Sequence, residues 1–299
     1  MVTFLRQAFN HSGFGPVKHG IRYIQTLGNY PEFQRIRQFM VAPALNQLRE
    51  RQPRFLYKYL SRYIASSFSR TTRLAVLLNH YDFLTDFVGP GFFNLVASQT
   101  VIWQEQRGAD VFTISLSYPS VVGFEGELSL NLISNGVLLQ VVSFVIVPGR
   151  LVGATSRQAI LISQVQGTAH QGRYRHATRA LLDITPATLL VQAAYGLAAA
   201  LHIDQAVGIS TEEQLSFGTG SHFNYNAFWE QQEGIRTAAN LFLLPIIPFQ
   251  KPLDSIKSKH RARTLRKRHY KQALRQAVEQ NCLTIFQQIR AEQDVSNTR

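Results

Sequence analysis

Between residues 100 and 166 the chain adopts a period of two, and no other feature limits its possible folds as much. Val111 to Tyr118 (VFTISLSY) and Phe124 to Leu132 (FEGELSLNL) alternate apolar and polar positions. Val137 to Val147 (VLLQVVSFVIV) is a β-branched run, and Gln158 to Gln166 (QAILISQVQ) is another. Alternation sends successive side chains to opposite faces of a strand, so these segments predict four strands. Turn signals separate them at Pro119 to Gly123, Ser134-Asn135-Gly136 and Pro148-Gly149. Asn135-Gly136 suits a tight hairpin because both residues tolerate positive φ. An antiparallel meander is the simplest topology.

After the fourth strand a loop is expected over Gly167 to His176, then helix from Ala177 to His202. Pro186 divides that helix, with Asp183 or Thr185 as the cap of its second part. A fifth strand is expected at Gln205 to Ser210 and a short one within residues 240–249. Residues 1–80 read as helices punctuated by Pro31, Pro43 and Pro53. The expected fold is therefore α+β: N-terminal helices, a mainly antiparallel sheet core in β-β-β-β-α-β order, and a basic C-terminal helix. The expected organisation is a helical basic region at 1–80, an α+β core at 81–250 and a basic helical tail at 251–299.

Charge separates the same regions. Residues 1–75 hold 12 Lys/Arg and 2 Asp/Glu, residues 76–250 hold 7 and 12, and residues 251–299 hold 12 and 4. The net charge of +13 thus comes from the two ends, while the middle is acidic. Basic ends favour anionic partners. A single cysteine, Cys282, excludes an intramolecular disulfide and fits a reducing compartment. The N-terminal residues MVTFLRQAFNHSGFG do not resemble a signal peptide. The most apolar window, Ala187 to Ile203, contains Gln192 and His202 and reads as a buried core helix rather than a membrane span. A cytoplasmic location follows, with contact at the periphery of the inner membrane open.

Six constellations carry potential chemistry. Gln164, Gly167, Arg173, Arg175 and His176 stand just before a predicted helix start, where backbone N–H groups and the helix dipole favour anions. The alternative is an ordinary glycine-containing surface loop. Glu125 and Glu127, two apart in a predicted strand, would share one face, either as a general base in a pocket or as the wetted side of the sheet. His80-Tyr81-Asp82 sets a histidine beside an acid, without a nucleophile at a telling spacing. Tyr225-Asn226-Ala227-Phe228-Trp229 suits a ligand wall or a packed corner. Lys257, Lys259, Arg261, Arg263, Arg266, Lys267 and Arg268 form an acid-free run suited to anionic lipid or nucleic acid, or to a solvated helix without a partner. Arg54, Phe55, Tyr57, Lys58, Tyr59, Arg62 and Tyr63 interleave aromatics with positive charge, as in single-strand binders or in an amphipathic helix whose basic stems reach outward. The scattered histidines offer no metal-ligand pair, and no metal is expected.

Gln164-x-x-Gly167-x-Ala169 resembles the pyrophosphate-binding pattern of the GCN5-related acyltransferases. That resemblance implies an acyltransferase-like core with acyl-coenzyme A as cofactor. More of the chain, roughly residues 55–275, resembles the bacterial VirK/YbjX family. The segments that carry this are LLNHYDFL from Leu77, FEGELSLNL from Phe124, QVQG before the long helix, YNAFWEQQEG from Tyr225, and LFLLP followed by KSKHRARTLRKR. The resemblance implies a cytoplasmic accessory role in envelope integrity, virulence or resistance to antimicrobial peptides, and it assigns no reaction. Two functions are therefore expected: an acyltransferase-like protein that binds an anionic ligand such as acyl-coenzyme A, or a non-enzymatic protein whose basic ends bind anionic lipid or RNA.

Overall fold

The structure is a computed structural model that describes residues 28, 30–40, 45, 58–119, 123–217, 223–247 and 252–297. Its helices are α1 (Tyr30–Met40), α2 (Arg70–Phe87), α3 (Phe92–Ala97), α4 (Gln171–Ala180), α5 (Pro186–Ala200), α6 (Tyr225–Gln231) and α7 (Ser258–Asn297). Its strands are β1 (Val101–Arg107), β2 (Asp110–Ser117), β3 (Leu128–Ser134), β4 (Val137–Pro148), β5 (Gln158–Gly167), β6 (Ala206–Ile209), β7 (Ile235–Arg236) and β8 (Leu241–Leu244). The eight strands form one sheet in the order β1-β2-β3-β4-β5-β6-β8-β7. The expected α+β class is correct.

All four strands expected between residues 110 and 166 are present, and every neighbouring pair from β1 to β5 is antiparallel. The β3–β4 hairpin turns through Asn135 at φ 48° and Gly136 at φ 76°, the paired positive values of a type I′ turn. Asn135 adds side-chain bonds to the Val111 N–H and to Asp110, which tie the turn to β2. Among the described residues only β5 and β6 run parallel, joined by the α4–α5 crossover.

Three expectations need correction. Strand β1 was not expected: VIWQEQR loses its apolar alternation after Trp103, as an exposed edge strand can. Glu125-Gly126-Glu127 lies before β3 rather than inside a strand. The loop expected over Gly167 to His176 is mostly helix, because α4 begins at Gln171. That helix buries only Ala177, so it has no apolar stripe to betray it.

Thr185 caps α5 through a bond from the Thr188 N–H at 3.3 Å, with Pro186 at the first helical position. Nearly all of α5 is buried, between the sheet and α7. Leu274, Val278, Cys282, Phe286 and Ile289 of α7 join the same core. No helix among the described residues is long and apolar enough to cross a membrane.

Candidate functional site

The parallel β5–β6 ladder is short. It pairs Ile160 to Ile162 with Ala206 to Gly208 and then stops, while β5 continues to Gly167. Beyond Ile162 the two strands part, and a groove of about 510 Å³ lies beside the free edge of β5. Its lining includes Arg62, Glu125, Gln164, Gln166, Phe223 and Tyr225. The Val165 N–H, left without a strand partner, donates instead to Tyr225 Oη at 2.7 Å. Burial pushes that phenol above its ordinary pKa, so it stays protonated.

A row of polar side chains leads to this groove from inside the sheet. Ser117, Ser129, Ser143 and Gln164 are successive register partners across β2, β3, β4 and β5, and all are buried. Ser143 Oγ donates to Gln164 Oε1 at 2.8 Å, so the neighbouring Ser129 Oγ, also at 2.8 Å, donates to Ser143. Gln164 Nε2 then donates to Glu125 Oε2 at 2.5 Å and to Gln166 Oε1 at 3.0 Å. The donors therefore point one way, from Ser129 towards the Glu125 carboxylate. Burial raises the pKa of Glu125, and the Gln164 bond opposes that rise. Periodicity concealed the row, because single serines in strands read as ordinary polar positions. Their shared phase in four consecutive strands is the signal that could have shown it.

Glu127 has a different environment. Its Oε1 accepts from Lys58 Nζ and from Tyr63 Oη, each at 2.6 Å, and its Oε2 accepts from Tyr81 Oη at 2.6 Å. Lys58 and Glu127 form a fully interior ion pair. Gly126 lets the two carboxylates diverge by crossing close over β4, where a Cβ would come within 2.7 Å of Ser143 Cβ. Glu125 and Glu127 thus do not share a face as expected.

The remaining expected site residues fall into separate places. Gly167 ends β5, and a turn of three residues, 168–170, leads into α4. Thr168, Gln171, Tyr174 and Arg175 line a shallow hollow of about 360 Å³ there. Arg173 is exposed elsewhere on α4, and His176 Nε2 lies 2.7 Å from Asp110 Oδ2. The basic run occupies the start of α7, where Arg263 pairs with Asp183 at 2.6 Å and Lys267 donates to the Asp183 carbonyl at 2.8 Å. Lys257, Lys259, Arg261 and Arg266 are exposed, and Arg268 is partly exposed.

His80, Tyr81 and Asp82 do not act together. His80 Nδ1 accepts the Ile146 N–H at 3.1 Å, in the stretch of β4 beyond the start of β3. Burial drives its pKa down to about 3, which keeps the ring neutral. Asp82 instead faces a surface groove with Asp86. Trp229 donates to the Ile209 carbonyl at 2.7 Å beneath the sheet, so the aromatic segment is a packed corner from which Tyr225 reaches the groove. Lys58 is the clearest departure, a cation buried against Glu127 rather than reaching outward. Arg54, Phe55 and Tyr57 lie outside the described residues. Cys282 is buried, which pushes its thiol up to about 12 and leaves it unreactive.

Comparison with known proteins adds a family to this geometry. Residues 17–280 match the family described as "Protein of unknown function (DUF535)". The chain belongs to the DUF535 family. Over 235 residues it is 27% identical to "Uncharacterized protein YbjX" of Escherichia coli (strain K12), covering 74% of this chain and 69% of that relative. The VirK/YbjX resemblance in the sequence was therefore sound. No solved structure matches. Among the described residues this DUF535 member has no group of three His, Cys, Asp or Glu able to hold a metal ion.

Proposed function

We propose that the groove beside β5 binds the extended arm of an acyl-coenzyme A and that the protein is an acyltransferase. One observation carries the reading: β5 and β6 part after Ile162 and Gly208, leaving a strand edge that an amide-bearing arm can pair with, next to a buried carboxylate. Glu125 is the candidate base. It lines the groove with a raised pKa, whereas both oxygens of Glu127 are already engaged. In the transfer, Glu125 takes the proton of an attacking amine or hydroxyl. The new bond forms to the thioester carbonyl carbon, and the carbon–sulfur bond breaks to release the coenzyme thiolate. Arg175, Gln171 and the N–H groups at the start of α4 are the phosphate-holding groups on this reading, adjoining Gly167. Tyr225 occupies the Val165 N–H, so it must yield that bond to the ligand arm.

Such an activity belongs in the cytoplasm. It would serve the envelope, virulence or peptide-resistance role that the VirK/YbjX resemblance implies. Calorimetry with acetyl-, long-chain and free coenzyme A tests the reading on the full chain. Saturable binding is expected, with Glu125→Gln keeping it and losing about 10²–10⁴-fold in transfer rate. Absence of saturable binding to all three ligands would sink the proposal.

A further inference from the structure

The fold brings together two acid-free spans of this chain. No Asp or Glu occurs in residues 128–182 or in residues 255–278. The first span supplies Arg173, Arg175 and Arg179 of α4, and the second supplies the basic start of α7. Asp183, just after α4, is the clasp between them. Arg263 Nη2 bonds its carboxylate and Lys267 Nζ its carbonyl. The Arg263 hydrogen bond holds the Asp183 carboxyl below its usual range, and the charges of Arg263, Lys267 and Arg179 add to this. Arg179 therefore stands beside the α7 cations, and Arg175 lies one turn before it on the same side of α4. The nearby Asp110 is engaged by His176.

The first turns of α7 are also open to solvent. Residues 257–263 are all exposed. At about 100° per residue, Arg261 and Arg268 lie on one side of the helix, where Arg261 also donates to the Ile256 and Asp254 carbonyls, and Lys259 and Arg266 lie roughly 160° away. Arg263 and Lys267 lie between, towards Asp183. Within residues 257–268 only Ala262 and Leu265 are apolar, so there is no stripe to enter a bilayer. A flat anionic surface can meet the cations on one side of such a cylinder. A groove walled by two phosphate strands meets both sides. The helix diameter, about 10–12 Å, fits the B-form major groove, about 12 Å wide, and not the narrow major groove of duplex RNA.

We propose that the start of α7, flanked by Arg175 and Arg179 of α4, is a docking surface for duplex DNA, held through the phosphates of both strands without base readout. Fluorescence anisotropy of a labelled 20-base-pair duplex against the full chain, titrated in salt, tests it. The expected result is micromolar or tighter binding at 50 mM KCl, weakening steeply with salt. Lys259→Glu with Arg266→Glu should weaken it at least tenfold. Arg175→Gln with Arg179→Gln should lower the salt slope by about two, near 0.9 for each lost phosphate contact. These changes lie on exposed positions, and an unchanged melting temperature confirms that the variants fold. Parallel arms use duplex RNA of the same length and vesicles with 30% phosphatidylglycerol. Tighter binding to either of those than to DNA overturns the proposal. So does absence of DNA binding at 50 mM KCl, or a salt slope that the α4 pair leaves unchanged.

Discussion

Glu125 and Glu127 are separated by a single glycine, yet they belong to two unlike regions. Glu127 closes an interior cluster: Lys58 and Tyr63 come from the segment before α2 and Tyr81 from α2 itself, and together they occupy both its oxygens. Glu125 edges a groove, and its carboxylate accepts a side-chain hydrogen bond from Gln164. The same chemical group serves first to hold the fold and then to offer a site. What decides is how many donors reach it and whether space remains beside it. A buried charge with all its partners is committed to structure, whereas a partly desolvated one next to a cavity keeps a proton affinity that chemistry can use.

The sharpest way to break this comparison is to remove Glu127. Glu127→Leu takes the carboxylate away from the buried Lys58 ammonium and from two buried tyrosine hydroxyls. The expected loss is about 3–5 kcal/mol of stability, read from urea unfolding. Lys58→Met added to Glu127→Leu should recover much of that, because the buried charge is gone with its carboxylate. A single variant as stable as the wild type would mean that the cluster does not hold the fold.

The same interior should resist acid poorly. The folded His80 pKa of about 3 lies below the unfolded value near 6.5, so the folded state disfavours the charged ring. The stability that this contributes is complete above about pH 6.5 and is lost as pH falls towards 3. Between pH 7 and pH 4.5 the loss amounts to roughly 2–3 kcal/mol. His80→Gln, which can still accept the Ile146 N–H, should flatten the wild-type slope across that window. An equal slope in both proteins would show that His80 does not titrate as burial requires.

How much of this was legible depended on how far apart the cooperating residues lie. The β3–β4 hairpin was readable because Asn135-Gly136 and the alternation around it are local. The α5 start was readable because Thr185 and Pro186 adjoin. Lys58 was misread because its partner lies 69 residues away, and no local pattern marks a lysine for burial. Glu125-Gly126-Glu127 continues the phase of β3, so alternation extended the strand backwards. The crossing of Gly126 over Ser143 interrupts that strand, and it is a tertiary contact. The arginines after Gly167 were expected in a loop before the helix, whereas Arg173 and Arg175 lie inside α4, because a helix with one buried residue announces its start weakly.

Removing the open carboxylate should not cost the stability that removing Glu127 costs. Burial raises the Glu125 pKa, so its folded state favours the protonated form. The stability linked to that preference is complete below the unfolded value near 4.3 and is lost as pH rises through the folded value. Glu125→Gln should therefore leave stability at neutral pH unchanged or raised by up to about 1 kcal/mol, with no gain at pH 4. A loss comparable to that of Glu127→Leu would erase the distinction between the two carboxylates.

The finest test lies in the row behind Glu125. Ser143 gives its proton to Gln164 Oε1, which fixes the amide so that Nε2 faces the carboxylate. Ser143→Ala removes that restraint at a cost of about 1 kcal/mol or less in stability. The amide can then rotate, and the bond that opposes the burial of Glu125 weakens. The Glu125 pKa should rise further, because the Gln164 bond is what opposes the effect of burial. Carboxyl-carbon NMR titration of the wild type and the variant measures this directly. An unchanged titration would mean that Gln164 holds its orientation through Gln166 alone, and that the buried serines pack the sheet without tuning the groove.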